Sequence, residues 1–251
     1  MRWQKPVVAL LLGAMVAVAN AAESKTVLFL GQNPDGHPPK THEYMAGLEL
    51  LAKLLKPTAD LKIQIVKADE PWSAGPQLLE HADGVVMFLA EGARWAQAEP
   101  RRHHALTRLA ARGGGFVALH WAIGTKSAEP IAPFLKLLGG CHGGPDRKYE
   151  VVETEVRIAD PTHPVTAGLH NFRARDEFYY QLKFVPPPQR IRPVLEAMIA
   201  GQAQTVAWSW DRPDGGRSFG FSGLHFHDNW NLPEYQKLLT QAVLWTMKMP
   251  N

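Results

Sequence analysis

Apolar runs alternate with amphipathic stretches through the first half of the chain. Thr26–Gly31 (TVLFLG) and Asp83–Leu89 (DGVVMFL) read as strands, the latter covered on both faces, and Gly113–His120 (GGGFVALH) as a glycine turn and a further apolar strand. Leu61–Val66 reads as a further strand. Between these runs Met45, Leu48, Leu51, Ala52 and Leu55 recur at helical spacing, which predicts a helix over Glu43–Leu55. Glu99–Arg112 is helical and charged, with His103 and His104 on its solvated face. The order β-α-β-(α)-β-α-β implies a parallel sheet with right-handed crossovers.

After Trp121 the pattern changes. Ile131–Leu138 is a short helix closed by Gly139 and Gly140. Tyr149–Ile158 alternates and predicts a half-exposed strand. Arg175–Tyr180, Val194–Ile199 and Thr205–Trp210 add strand regions, and Asp211–Gly216 is a hairpin loop. Ser218–Ser222 is a dry strand that opens into a polar stretch, and Pro233 begins a last helix through Met247. The expected class is α/β: a mostly parallel central sheet between helices, with extra β elements in the C-terminal half.

The first 21 residues stand apart from this pattern. Arg2 and Lys5 precede an apolar run from Pro6 to Val18, which ends in Ala19-Asn20-Ala21. That layout predicts a secretory signal peptide cleaved after Ala21, with residues 22–251 forming one domain, periplasmic or secreted, and no stable membrane anchor after cleavage. The 27 basic residues, less Arg2 and Lys5, nearly balance the 24 acidic ones. Such a balance argues against a nucleic-acid partner held by bulk charge. The single cysteine, Cys141, excludes an internal disulfide.

Ligands of open parallel sheets sit beyond the carboxyl ends of the strands. The polar residues there are Gln32 and Asn33, Glu91, His120 and His225, with His42 and Glu43 opening the first helix on the same side. Trp121 and Trp230 are expected to wall the crevice, and Arg217 either holds an anion or pairs with a loop carboxylate. Asp176-Glu177 sits among Phe178, Tyr179 and Tyr180, a setting that raises a carboxyl pKa, and Glu177 is expected to face the site. His163-Pro164 reads as a turn lock and His142 as a lesser site candidate. Three readings of the histidines stay open. They are structural; or His225, His227 and His120 hold a divalent metal such as zinc; or His120 and His225, with Glu177, do acid/base work on a bound small molecule.

GGGFVALHWA (Gly113–Ala122), HPVTAGL (His163–Leu169), DEFYY (Asp176–Tyr180), VAW (Val206–Trp208) and GGRSFGFSGLHFHDNW (Gly215–Trp230) resemble, in order, the motifs of ThuA-like domains, the trehalose-utilisation family. His42-Glu43-Tyr44 resembles the start of the first helix in its secreted members. The resemblance spans about Thr26 to Lys248 and implies the class I glutamine amidotransferase-like fold, a flavodoxin-like three-layer sandwich. Amidotransferase chemistry needs a cysteine on the elbow after the central strand, and Ala118-Leu119-His120-Trp121 has none.

The family implies a role in catabolism of trehalose, related disaccharides or keto-sugars, so a small carbohydrate is the expected partner. Two functions follow as expectations. The first is a sugar-processing hydrolase, lyase or isomerase using His120, His225 and Glu177, with Asn33, Glu91, Trp121, Trp230 and Arg217 binding substrate. The second is a non-catalytic carbohydrate- or partner-binding module.

Overall fold

A computed structural model describes residues 1, 3, 24–187 and 191–250. Apart from its residues 1 and 3, the predicted signal peptide lies outside the described residues. In chain order the first half runs β1 (Lys25–Gly31), α1 (Tyr44–Leu55), β2 (Leu61–Lys67), α2 (Gly75–Glu80), β3 (Gly84–Phe88), α3 (Gly92–Ala98), α4 (Pro100–Ala111) and β4 (Gly115–Leu119). Then follow β5 (Gly124–Thr125), α5 (Ile131–Leu138), β6 (Gly140–Gly143), β7 (Lys148–Ile158), β8 (Phe172–Tyr180), β9 (Lys183–Phe184), β10 (Ile191–Ile199), β11 (Gln202–Asp211), β12 (Arg217–Phe221) and α6 (Pro233–Thr246).

Local chemistry marks the helix ends. The Glu99 carboxylate accepts the amides of Arg101 and Arg102 at the start of α4, with Pro100 at its first position. Gly139 ends α5 in the left-handed region at φ 77°.

Nine strands form one sheet in the order β2-β1-β3-β4-β12-β11-β10-β7-β8. The first five pair in parallel, and every pair from β12 onward to β8 is antiparallel. The extra β elements expected in the C-terminal half therefore extend the central sheet, while β5, β6 and β9 make a small second one.

Alternation along the central strands sorts their side chains into two cores. Val27, Phe29, Val86, Phe88, Val117, Leu119, Phe219 and Phe221 pack with α1 and α6. Leu28, Leu30, Val85, Met87, Phe116 and Ala118 pack with α2, α3, α4 and α5. The result is the expected three-layer α/β sandwich. Trp208 plugs the second core and donates its indole N–H to the Leu138 carbonyl at 2.9 Å. Gly220 beside it has no room for a side chain, because a Cβ there would lie 2.2 Å from the indole.

Candidate functional site

The parallel strands bring their carboxyl ends together, and the loops that leave them carry the polar residues. His120 follows β4 directly, in the left-handed region at φ 48°, and is completely buried. Such a sharp turn costs of the order of 1–3 kcal/mol in a non-glycine residue and persists where its surroundings over-determine it. His42 precedes α1, also with positive φ, at 52°. His225 follows β12, on the turn after Leu224.

The two loops on either side of the histidines are stitched together through their backbones. The His42 amide donates to the His225 carbonyl at 3.2 Å, and the His227 amide to the Lys40 carbonyl at 2.7 Å. Thr41 and Phe226 form an antiparallel bridge.

Three imidazoles converge. His42 Nε2 lies 2.9 Å from His120 Nε2 and 3.1 Å from His225 Nδ1, and the last two are 3.2 Å apart. Each of the first two rings is held from behind. His120 Nδ1 lies 2.8 Å from the Ser222 carbonyl, which can only accept, so the ring proton sits there and Nε2 faces the cluster bare. His42 Nδ1 lies 2.9 Å from Asp35 Oδ2, which also receives the Tyr44 hydroxyl at 2.7 Å.

Burial keeps all three rings neutral. It lowers His120 well below the usual histidine range, lowers His42 against the pull of Asp35, and brings His225 to about 4. Burial works against ionised Asp35 too, but the hydrogen bonds from His42 and Tyr44 outweigh it and hold the carboxyl well below its ordinary value. Neutral imidazoles with their second nitrogen hydrogen-bonded to oxygen are the form in which histidine binds metals.

Beside the cluster opens a cavity of about 330 Å³. Glu177 and Tyr179, two apart on β8, share the face that lines it, together with Trp121, His142, Glu91, Asp35, His37, Lys126, Arg147 and Tyr149. Glu177 Oε1 is 3.6 Å from His225 Nδ1 and 3.9 Å from His120 Nε2. Burial, then the neighbouring Asp176 charge, pushes its carboxyl up to about 7. The Tyr179 hydroxyl is 3.0 Å from His120 Nε2, and its ring stacks between His120 and His142. Burial raises that phenol well above its ordinary value, so it stays a donor. Burial, reinforced by Arg147 and Lys183, takes His142 down to about 3, and its Nε2 has no hydrogen-bond partner among the described residues.

Asp176 leaves β8 on the opposite face and is fully buried. It accepts the amides of Leu224 at 2.6 Å, His225 at 3.0 Å and Glu177 at 2.9 Å, and the Tyr235 hydroxyl at 3.2 Å. Burial still raises it to about 6. Two adjacent acids thus divide their tasks: Asp176 fixes the turn that presents His225, and Glu177 faces the cavity.

Four residues expected at the site stand elsewhere. Trp230 is buried in the core against Phe88 and over Gly47, because the turn after His227 directs it inward. His227 points away from the three histidines, with Nδ1 3.5 Å from Glu43 Oε2; two residues on, the chain has left the extended geometry that would have aligned it with His225. Arg217 begins β12 and so lies at the far end of the sheet, paired with Asp211 at 3.4 Å and stacked on Trp245. Asn33 is exposed, its amide on Asp69, and does not line the cavity. His163 does lock its turn, its Nδ1 accepting the Val165 amide at 3.1 Å.

His42 takes the place given to His227 in the sequence reading. Asp35, Tyr44 and Tyr179 carry no site role in the sequence pattern, where Tyr179 is only part of the aromatic setting around Glu177. The elbow after β4 is present in its strained form but carries His120 instead of a nucleophile. Cys141 is completely buried on β6, and burial pushes its thiol up to about 12, so it supplies no nucleophile either.

The family model described as ThuA, trehalose utilisation, matches residues 27–246. No curated protein sequence matches the chain. Among solved structures, a putative ThuA-like protein from Bacteroides uniformis superposes with a TM-score of 0.66 at 17% identity, covering 93% of this chain and 95% of that one. One from Parabacteroides merdae gives 0.65 at 19% identity, covering 90% of each. A glutamine amidotransferase from Thermotoga maritima gives 0.51 at 10% identity over 90% of this chain and 99% of that one.

Proposed function

The chain belongs to the ThuA, or trehalose-utilisation, family, and from that premise we propose that it is an exported carbohydrate-processing enzyme. In this reading Glu177 moves a proton on a disaccharide or keto-sugar held in the cavity. The observation that carries it is a carboxyl facing a cavity beside three neutral imidazoles, with a pKa of about 7. A group poised near neutrality can both take and return a proton under ordinary conditions.

The assignment moves the proton work away from His120 and His225. His120 is completely buried, donates its ring proton to Ser222, and is held neutral by burial. Glu177 has the better position and the better pKa for taking a proton from a carbon next to a carbonyl, or giving one to a glycosidic oxygen. Those two acts are the common first steps of an isomerase or lyase and of a hydrolase. Trp121 and Tyr149 line the cavity with aromatic surface for a sugar ring, and Lys126 and Arg147 offer donors to its hydroxyls. The basic and apolar N-terminal segment, with its Ala-x-Ala end, supports export.

The test is a turnover screen of the purified mature protein against trehalose, related disaccharides and their keto forms, with Glu177→Gln alongside. The expected result is turnover of at least one sugar, lost by about 10²–10⁴-fold in the variant. Saturable sugar binding without turnover, equal in both proteins, would make it a binding module instead.

A further inference from the structure

The three imidazoles pose a problem that the fold does not solve by itself. His42 and His120 each commit their Nδ1 proton to an oxygen, so their Nε2 lone pairs face one another at 2.9 Å. His225 can bring one proton into the cluster through Nδ1, and the Tyr179 hydroxyl can bring another to His120. Neither lies between the two Nε2 atoms. A positive charge equidistant from all three nitrogens would remove the repulsion.

We propose that His42 Nε2, His120 Nε2 and His225 Nδ1 form a mononuclear site for a divalent cation of the zinc class. A cation with Zn–N bonds of about 2.0–2.1 Å and ligand angles between octahedral and tetrahedral needs nitrogens about 2.9–3.4 Å apart. The three observed separations, 2.9, 3.1 and 3.2 Å, fall in that range. Imidazole donors select zinc and its transition-metal neighbours over magnesium or calcium, which take oxygen. Asp35 and the Ser222 carbonyl hold the outer nitrogens of two rings, the supporting arrangement usual behind metal-bound histidine.

Three protein ligands leave a position open, as in catalytic rather than structural zinc sites. Glu177 and Tyr179 border the cluster on its cavity side, where the open position would receive a water or a substrate oxygen. Asp35 and His37 with His42 make a second cluster of candidate ligand atoms. Its carboxylate is already engaged by His42, Tyr44 and His37, so it serves the first site as support. The cation site rests on geometry alone and stands apart from the reading of Glu177 above; a bound cation would draw the Glu177 carboxyl down and leave it as a base.

The experiment is metal binding by the full mature protein, stripped with a chelator and titrated with Zn²⁺ by calorimetry and with Co²⁺ by visible absorption. One equivalent should bind, with the absorption of a four- or five-coordinate Co²⁺ ion. His42→Ala and His225→Ala should each weaken Zn²⁺ binding by at least about 100-fold, and His227→Ala should leave it within about twofold. Circular dichroism identifies variants that fail to fold. A His120→Ala variant that fails to fold would leave His42→Ala and His225→Ala to decide the matter. Absence of stoichiometric binding by the folded wild type, or loss in His227→Ala but not His42→Ala, would overturn the proposal. Metal bound at these residues without sugar turnover would sink the enzyme reading and leave the site standing. Sugar turnover by a folded protein that binds no stoichiometric metal would do the reverse.

Discussion

The Nε2 atoms of His42 and His120 lie 2.9 Å apart, across 78 residues of chain. Both residues have positive φ, and both rings are tethered through Nδ1 to an oxygen on the far side. The closeness is imposed by the backbones of two loops, not chosen by the rings. A site whose ligands are already aimed loses little freedom when it is filled.

The Asp35 tether can be weakened without touching a ligand. Asp35→Asn keeps the shape but removes the charge that holds the His42 proton on Nδ1. Zn²⁺ affinity should fall by about 10–100-fold, measured by competition with a chromophoric chelator. An unchanged affinity would show that Asp35 does not orient His42.

Glu177 should make the metal-free fold less stable as pH rises. Its carboxyl ionises near 4.5 when unconstrained and near 7 in the fold. Between those values the folded chain holds a proton that the unfolded chain has released, so stability falls with rising pH. Glu177→Gln lacks this loss. Its stability relative to the wild type should increase by about 2–3 kcal/mol between pH of roughly 4 and 8, read from urea unfolding in chelator. A constant difference across that range would refute the raised pKa.

His163 works in the opposite sense. Burial takes it from 6.5 to about 4. As pH falls through that window, the unfolded chain takes up a proton that the folded chain refuses, and stability drops. His163→Asn keeps an acceptor for the Val165 amide but has no proton to gain. The acid-induced loss of stability should shrink by about 2–3 kcal/mol in that variant. An unchanged acid limb in chemical denaturation would count against a buried neutral His163.

Trp230 should behave as a core residue. It is 1% exposed and fills the space that Gly47 leaves open, where a Cβ would come within 2.5 Å of the indole. Trp230→Ala should cost about 3–5 kcal/mol in thermal or chemical unfolding, with Zn²⁺ binding at low temperature preserved. A sugar-affinity loss without a stability loss would return Trp230 to the cavity wall.

The sheet and its helices were legible because burial on both faces leaves a continuous apolar signal, as in β3 and β4, and because α1 and α6 carry helical spacing. The placement of His120 and His225 was legible for the same reason, since strand ends of a parallel sheet share an edge. What failed was local direction. His227 and Trp230 follow a dry strand, but a 3₁₀ turn over His227–Asn231 swings them off its axis, and no residue type announces that turn. Of the two readings of Arg217, pairing with a loop carboxylate holds, through Asp211, and substrate binding does not, because β12 starts at the end of the sheet far from the site. Asp35 was missed because a carboxylate inside Pro34-Asp35-Gly36 looks like turn chemistry until the loop is seen folding back onto His42.

Glu177, Tyr179 and Asp176 all stand on β8, the last strand of the sheet, which among the described residues pairs with β7 alone. His120 sits at the end of β4, flanked by β3 and β12 in the middle of the same sheet. Edge strands open at a lower free energy than the strands they cover. Amide exchange should therefore be faster along β8 than along β4, and heating should detach one wall of the cavity before the fold melts. The temperature at which this protein stops working would then sit below the temperature at which it unfolds.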